Sequence, residues 1–122
     1  MEELNTEKCI DLDSCIEWVI ESQGGLEGFM DWTRLTEHDA LILAHHGFGM
    51  WLRNTLELWF DGPPVKYFNE IGIYHADDMS GILLTSIHRK YHNQDINLDS
   101  QIKYYRDFWE KHNPNINKGI LK

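Results

Sequence analysis

Basic residues are scarce in this chain: 11 Lys and Arg stand against 20 Asp and Glu, a formal net charge of −9. The shortage is local. Within residues 1–39 only Lys8 and Arg34 face eleven carboxylates, whereas residues 40–122 are balanced. A phosphate backbone is gripped by a basic surface, so direct nucleic-acid binding is not expected. Long apolar runs are missing too. Nothing approaches the roughly 20 residues that cross a bilayer, and the acidic N-terminus has no apolar core of a signal peptide. These absences point to a cytoplasmic protein without a membrane partner. Cysteine is limited to Cys9 and Cys15, whose spacing fits neither a zinc site nor a redox CxxC. In a reducing cytoplasm both thiols are expected free, with Cys15 a small core residue. Proline occurs three times, two of them adjacent at Pro63 and Pro64, and no run alternates cleanly enough to be a strand.

Aromatic residues, by contrast, are plentiful: five each of Phe, Trp and Tyr. They supply enough apolar area for 122 residues to bury one core without metal or cross-links. The apolar spacing is helical throughout. Asp11 or Asp13 caps a first helix that runs to about Ser22 and stops at Gly24-Gly25. A short helix over 26–32 follows. Thr36 or Asp39 opens the longest stripe, Leu41, Ala44, Phe48, Trp51, Leu52, Thr55 and Trp59, which predicts a helix over 37–60. Gly47 and Gly49 inside it either permit close packing or divide it. Asp61-Gly62-Pro63-Pro64 is a stop. Further helices are expected over 65–71, from Asp77 to about Tyr91, and from Asp99 to about His112 with Ile102, Tyr105, Phe108 and Trp109 inward. The fold class implied is all-α: a compact orthogonal bundle of five or six helices in one domain, 1–122, with 1–8 and 113–122 as loose tails that Ile120 and Leu121 could dock.

Two polar clusters interrupt the apolar helices. Arg53 and Asn54 sit in the aromatic segment, and His75, Asp77 and Asp78 at the start of a helix. An Arg in such surroundings either bridges helices through Asp77 or Asp78 or binds an anionic ligand. The two Asp either complement the helix dipole or offer oxygen ligands to a divalent cation. Arg53, Asn54, His75, Asp77 and Asp78 are therefore the candidate ligand-binding residues. Gly81, within the same helix, is read as a packing contact.

Seven histidines raise the question of metal. His88 and His92 have ligand spacing but lack the Glu of the H-E-x-x-H motif, and helical phase turns both toward solvent. Of His45 and His46, one is expected inside. No catalytic residue, metal site or cofactor is implied, since no nucleophile motif stands around Ser80, Ser86 or either cysteine.

The blocks His46-Gly47-Phe48-Gly49-Met50-Trp51-Leu52-Arg53-Asn54, Leu58-Trp59, Tyr67-Phe68, 72–82 with His75-Ala76-Asp77-Asp78, and Gln101-Ile102-Lys103-Tyr104-Tyr105 resemble a family of small bacterial proteins, domain of unknown function 6794. Ala76 replaces the Pro expected in the family's H-P-D-D block. The resemblance implies a shared compact helical fold and a bacterial or phage setting, and no reaction.

Two functions remain beside that of a structural subunit in a larger assembly. One is a non-catalytic acidic binding protein, such as an inhibitor or immunity-type protein that neutralises a basic toxin or nuclease. Its contact would use Glu27 and Asp31 with Trp32 or Phe29 as anchor, although Trp32 is equally suited to the core. The alternative is an enzymatic or ligand-binding domain with a polar pocket around Arg53.

Overall fold

The computed structural model describes residues 5–112. The tails expected at 1–4 and 113–122, and any docking of Ile120 and Leu121, lie outside the described residues. Thr6–Lys8, expected loose, forms a 3-10 turn capped by Asn5. Seven α-helices follow among the described residues: α1 Leu12–Ser22, α2 Met30–Thr33, α3 Glu37–His45, α4 Phe48–Thr55, α5 Val65–Glu70, α6 Ala76–Tyr91 and α7 Leu98–His112. A 3-10 turn, Leu26–Phe29, leads into α2. There is no strand among the described residues.

Helix α6 is the axis, packed by α1, α3, α4 and α7. Its residues 82–88 are all buried, including Thr85, Ser86 and His88. A helix covered on nearly every side must be apolar or internally satisfied all round. Ile82, Leu83, Leu84 and Ile87 meet the first condition. His88 meets the second through Nε2, 2.9 Å from the Leu35 carbonyl. The expectation that His88 faces solvent is therefore corrected: helical phase marks the side opposite Met79 and Leu83, but segment 33–36 covers that side as well. His92, at the helix end, is exposed and lies 2.8 Å from the Thr33 carbonyl through Nε2. His45 and His46 are both exposed, against the expectation of one inside, and meet edge to face.

The expected helix over 37–60 is three pieces. The chain leaves helical geometry at Gly47 (φ −102°, ψ −98°), and α4 ends at Thr55. Beyond the corner at 46–47, Phe48 stacks on Trp51 within α4 (5.2 Å, 18°), and Trp51 on Trp18 of α1 (6.0 Å, 16°). Beyond α4, Glu57 takes φ 53°, and a β-carbon at Gly62 would overlap the Leu56 carbonyl, which makes glycine obligatory there. Trp59 and Phe60 follow as exposed turn residues.

Caps explain the other boundaries. Asp11 accepts from Ser14 N–H at 2.8 Å and Ser14 Oγ from Asp11 N–H at 3.0 Å, a reciprocal capping box. Thr36 caps α3. Helix α6 is capped by His75, whose Nδ1 accepts from Asp77 N–H at 3.1 Å, and not by Asp77.

Cys9 and Cys15 are joined in a disulfide and fully buried, which corrects the expectation of free thiols. Both point inward because the chain folds back over α1's first turn to reach the Asp11 cap. Spacing alone could not show that turn.

Candidate functional site

Arg53 is 3 % exposed and joins three elements. Its Nη2 donates to the carbonyl of His45 at the end of α3 (2.7 Å), its Nη1 to Ser80 Oγ on α6 (2.9 Å), and its Nε lies 3.4 Å from Asp77 Oδ1. Nε is too poorly aligned on Asp77 to hydrogen-bond, so that contact is an ion pair without a directed bond. Ser80 Oγ–H in turn donates to the Asp77 carbonyl at 3.0 Å. The His45 carbonyl is a helix C-terminal acceptor, where a cation is favoured. Gly49 makes room: a β-carbon there would stand 3.0 Å from Arg53 Nη1.

Asp78 is held differently. Its Oδ2 accepts from the Trp109 indole N–H at 2.7 Å, which ties α7 to α6. Burial raises its pKa above the usual carboxylate value, opposed by that hydrogen bond and by His75. Burial likewise pushes the Tyr105 phenol up to about 12, with Asp78 adding to the shift. Tyr105 rests on Gly81, where a β-carbon would collide with its hydroxyl, so Gly81 is a packing contact. His75 stacks on Trp109 (5.5 Å, 24°) and meets Trp59 edge-on. Its Nδ1 is also 3.8 Å from Asp77 Oδ2. The shorter cap bond to Asp77 N–H decides its role, because an accepting Nδ1 carries no proton.

Arg53, Asp77 and Asp78 thus share one cleft of about 220 Å³, with His45, Ser80 and Tyr105 also in its walls. Asn54 is exposed and outside that lining, and His75 is spent on the cap. A second cleft of about 310 Å³ adjoins it through Leu41 and Tyr105, and adds Thr85, Arg89, Gln101 and Tyr104. Arg89 in its wall forks onto Glu37 (2.7 and 3.2 Å) and donates to the Ile96 carbonyl. Gln101 and Tyr104 were not among the residues picked from sequence. The one signal for them was their place in the block Gln101-Ile102-Lys103-Tyr104-Tyr105.

On another face, Phe29, Trp32, Leu43, Ala44 and Phe48 line an apolar groove of about 270 Å³. Trp32 is half-buried, donates Nε1–H to the Ala40 carbonyl at 2.8 Å and meets His88 edge-on, so it forms part of the wall. Glu27 and Asp31 are exposed on the segment that supplies Phe29 and Trp32.

No group of three or more His, Cys, Asp or Glu among the described residues is placed to hold a metal ion. No helix there is long and apolar enough to cross a membrane.

No curated protein and no solved structure matches the chain. One family model does, over residues 11–91, from the cap of α1 to the last residue of α6. That span covers about two thirds of the chain and includes Arg53, Asp77 and Asp78, and on it the chain belongs to the family described as domain of unknown function DUF6794.

Proposed function

We propose that this chain is a non-catalytic binding protein whose acidic N-terminal face docks a basic protein partner, as small inhibitor or immunity-type proteins do when they neutralise a toxin or nuclease. The observation that carries this reading is the coincidence of an apolar groove with uncompensated carboxylates. Leu26, Met30 and Leu43 are exposed beside or within the groove of Phe29, Trp32 and Phe48. Glu27 and Asp31 project from the same segment, and Arg34 is the nearest cation in sequence. Aromatic and aliphatic pockets supply most of the energy of a contact, and rim charges its speed and choice of partner.

The polar residues around Arg53 argue against catalysis. A reactive group is left available to substrate, whereas the guanidinium is spent on His45, Ser80 and Asp77. The Cys9–Cys15 bond weighs against the reducing cytoplasm expected from sequence and toward an oxidising compartment, where such bonds persist. Thiol trapping in intact cells measures its state there.

The test is stopped-flow association with the basic protein recovered on the immobilised chain from its host. Glu27→Lys with Asp31→Lys should slow association at low salt and flatten its salt dependence. Leu43→Ser, at an exposed position, should speed dissociation. An acidic partner, or association rates unmoved by the charge reversal, would overturn the proposal.

A further inference from the structure

Helix α7 is engaged on one side only. Leu98, Gln101, Ile102, Tyr105 and Trp109 face the body of the fold, and the residues between them are exposed. Gln101 Nε2 donates to Ser86 Oγ and the Ile96 carbonyl, leaving its Oε1 without a donor, and Trp109 holds Asp78. The outward side carries two neighbouring rows with a spacing of four, which stand as ridges on a helix. One is Asp99, Lys103, Asp107 and Lys111, in strictly alternating sign. The other is Ser100, Tyr104, Phe108 and His112, with Tyr104 66 % and Phe108 45 % exposed.

Alternating charge on a helix is commonly just a solvated face. Two observations set this one apart. Pairing within the helix uses only Lys103 and Asp107, and among the described residues Asp99 and Lys111 form no ion pair. Beside the charges, two large rings one turn apart stand open to water, which a solvated face does not require. The acidic excess of the chain is also absent here, since α7 carries Asp99, Asp107 and Glu110 against Lys103, Arg106 and Lys111.

We propose that the outer face of α7 docks a second copy of this chain, helix against helix and antiparallel about a two-fold axis. The row acid, base, acid, base becomes base, acid, base, acid when reversed, so it is complementary to itself. Asp99 then meets Lys111 of the second copy and Lys103 meets Asp107, each twice by symmetry. The two-fold brings the same flank of each helix together, charges to charges and rings to rings. Tyr104 of each copy lies two residues, about 3 Å, from direct opposition to Phe108 of the other. A parallel pairing would set the charges against the rings. Helix α7 has 15 residues and is about 22 Å long. Such a pair covers less than the ~1,600 Å² of a standard interface, so the association is weak and reversible. Helix α7 lines none of the Phe29–Phe48 groove, and the inference is independent of the protein-docking proposal.

The experiment is sedimentation of the oxidised full chain over about a hundredfold range of concentration up to ~1 mM, with backbone amide shifts followed in parallel. The expected result is a reversible monomer–dimer equilibrium, with shifts centred on residues 99–111. Two variants fix the register. Lys103→Asp with Lys111→Asp makes the row wholly acidic, and Asp99→Lys with Asp107→Lys makes it wholly basic. Each alone should dimerise at least tenfold more weakly than wild type, and their equimolar mixture should recover a one-to-one dimer. Tyr104→Ala, at an exposed position, should weaken dimerisation several-fold. A wild-type chain that stays monomeric throughout, or shifts centred outside α7, would overturn the proposal. So would variants that each dimerise as wild type does, or, with helix content matched by circular dichroism, a mixture that stays monomeric.

Discussion

Gly49 leaves empty the space that the Arg53 guanidinium occupies, one helical turn further along α4. An added methyl would press on Nη1 and on the Ala44 carbonyl 2.9 Å away, and would meet Leu84 on the facing helix. The carbonyl belongs to backbone and cannot turn aside. Gly49→Ala is therefore expected to lose about 1–3 kcal/mol to overpacking, despite alanine's better helix propensity. Urea melts at neutral pH measure this; a variant as stable as wild type would show that the corner relaxes freely.

The same guanidinium predicts an asymmetry between the partners of an ion pair. Arg53→Ala empties a buried volume and strips donors from the His45 carbonyl and Ser80, at an expected cost of about 3 kcal/mol. Asp77 is more than a third exposed and its pairing is not a directed bond, so Asp77→Asn should cost under about 1 kcal/mol. Equal losses in the two variants would mean that the ion pair, not the two hydrogen bonds, holds α3, α4 and α6 together.

Asp78 predicts a dependence on pH. Its folded pKa lies above its unfolded value because burial disfavours the charge. The folded state then binds more protons in this window, so the group's contribution is favourable below the unfolded pKa near 3.8 and declines as pH rises through the raised folded value. Asp11 acts in the opposite direction: the Ser14 cap lowers its pKa, and the stability it adds is lost as pH falls through that lowered value. Asp78→Asn keeps an acceptor for Trp109 and removes the buried charge. It should remove the decline above pH 3.8 and equal or exceed wild type in stability at pH 7. Thermal melts from pH 3 to 8 check this, and an undiminished decline in the variant would refute the assignment.

Reduction of Cys9–Cys15 should lower stability without abolishing the fold. The link closes a short loop, six residues apart in sequence, and the chain-entropy estimate for such a loop is about 2 kcal/mol. Melts with and without a thiol reductant, followed by circular dichroism, should show the same helix content and a lower midpoint. Loss of helix at room temperature on reduction would make the bond a condition of folding.

The helices were legible because their faces repeat: Leu41, Ala44, Phe48 and Leu52 mark the buried side whether or not the helix bends. The bend itself was only an alternative, since a glycine pair marks a weak point without saying how neighbours use it. A bridge between helices was one of the two readings of Arg53, because an isolated charge among tryptophans has few other places to go. Its acceptor on His45 was invisible, being backbone brought near by the corner. His88 was misjudged because a wheel describes one helix, and the segment that covers His88 lies 53 residues earlier. Gln101 carries no signal in composition, and only the packing of α7 on α6 exposes its unmet acceptor.

The corner at Gly47 has a mechanical consequence. A glycine joint between two helices is ordinarily a hinge. Here Arg53, rooted in α4, grips the last carbonyl of α3 from inside the bend, and Ser80 pins the same group to α6. Force applied to α3 is thus delivered to α4 and the central helix together, and the joint behaves as a welded bracket. Slow hydrogen exchange at the amides on both sides of the bend would be its signature, and Arg53→Ala would turn the bracket back into a hinge.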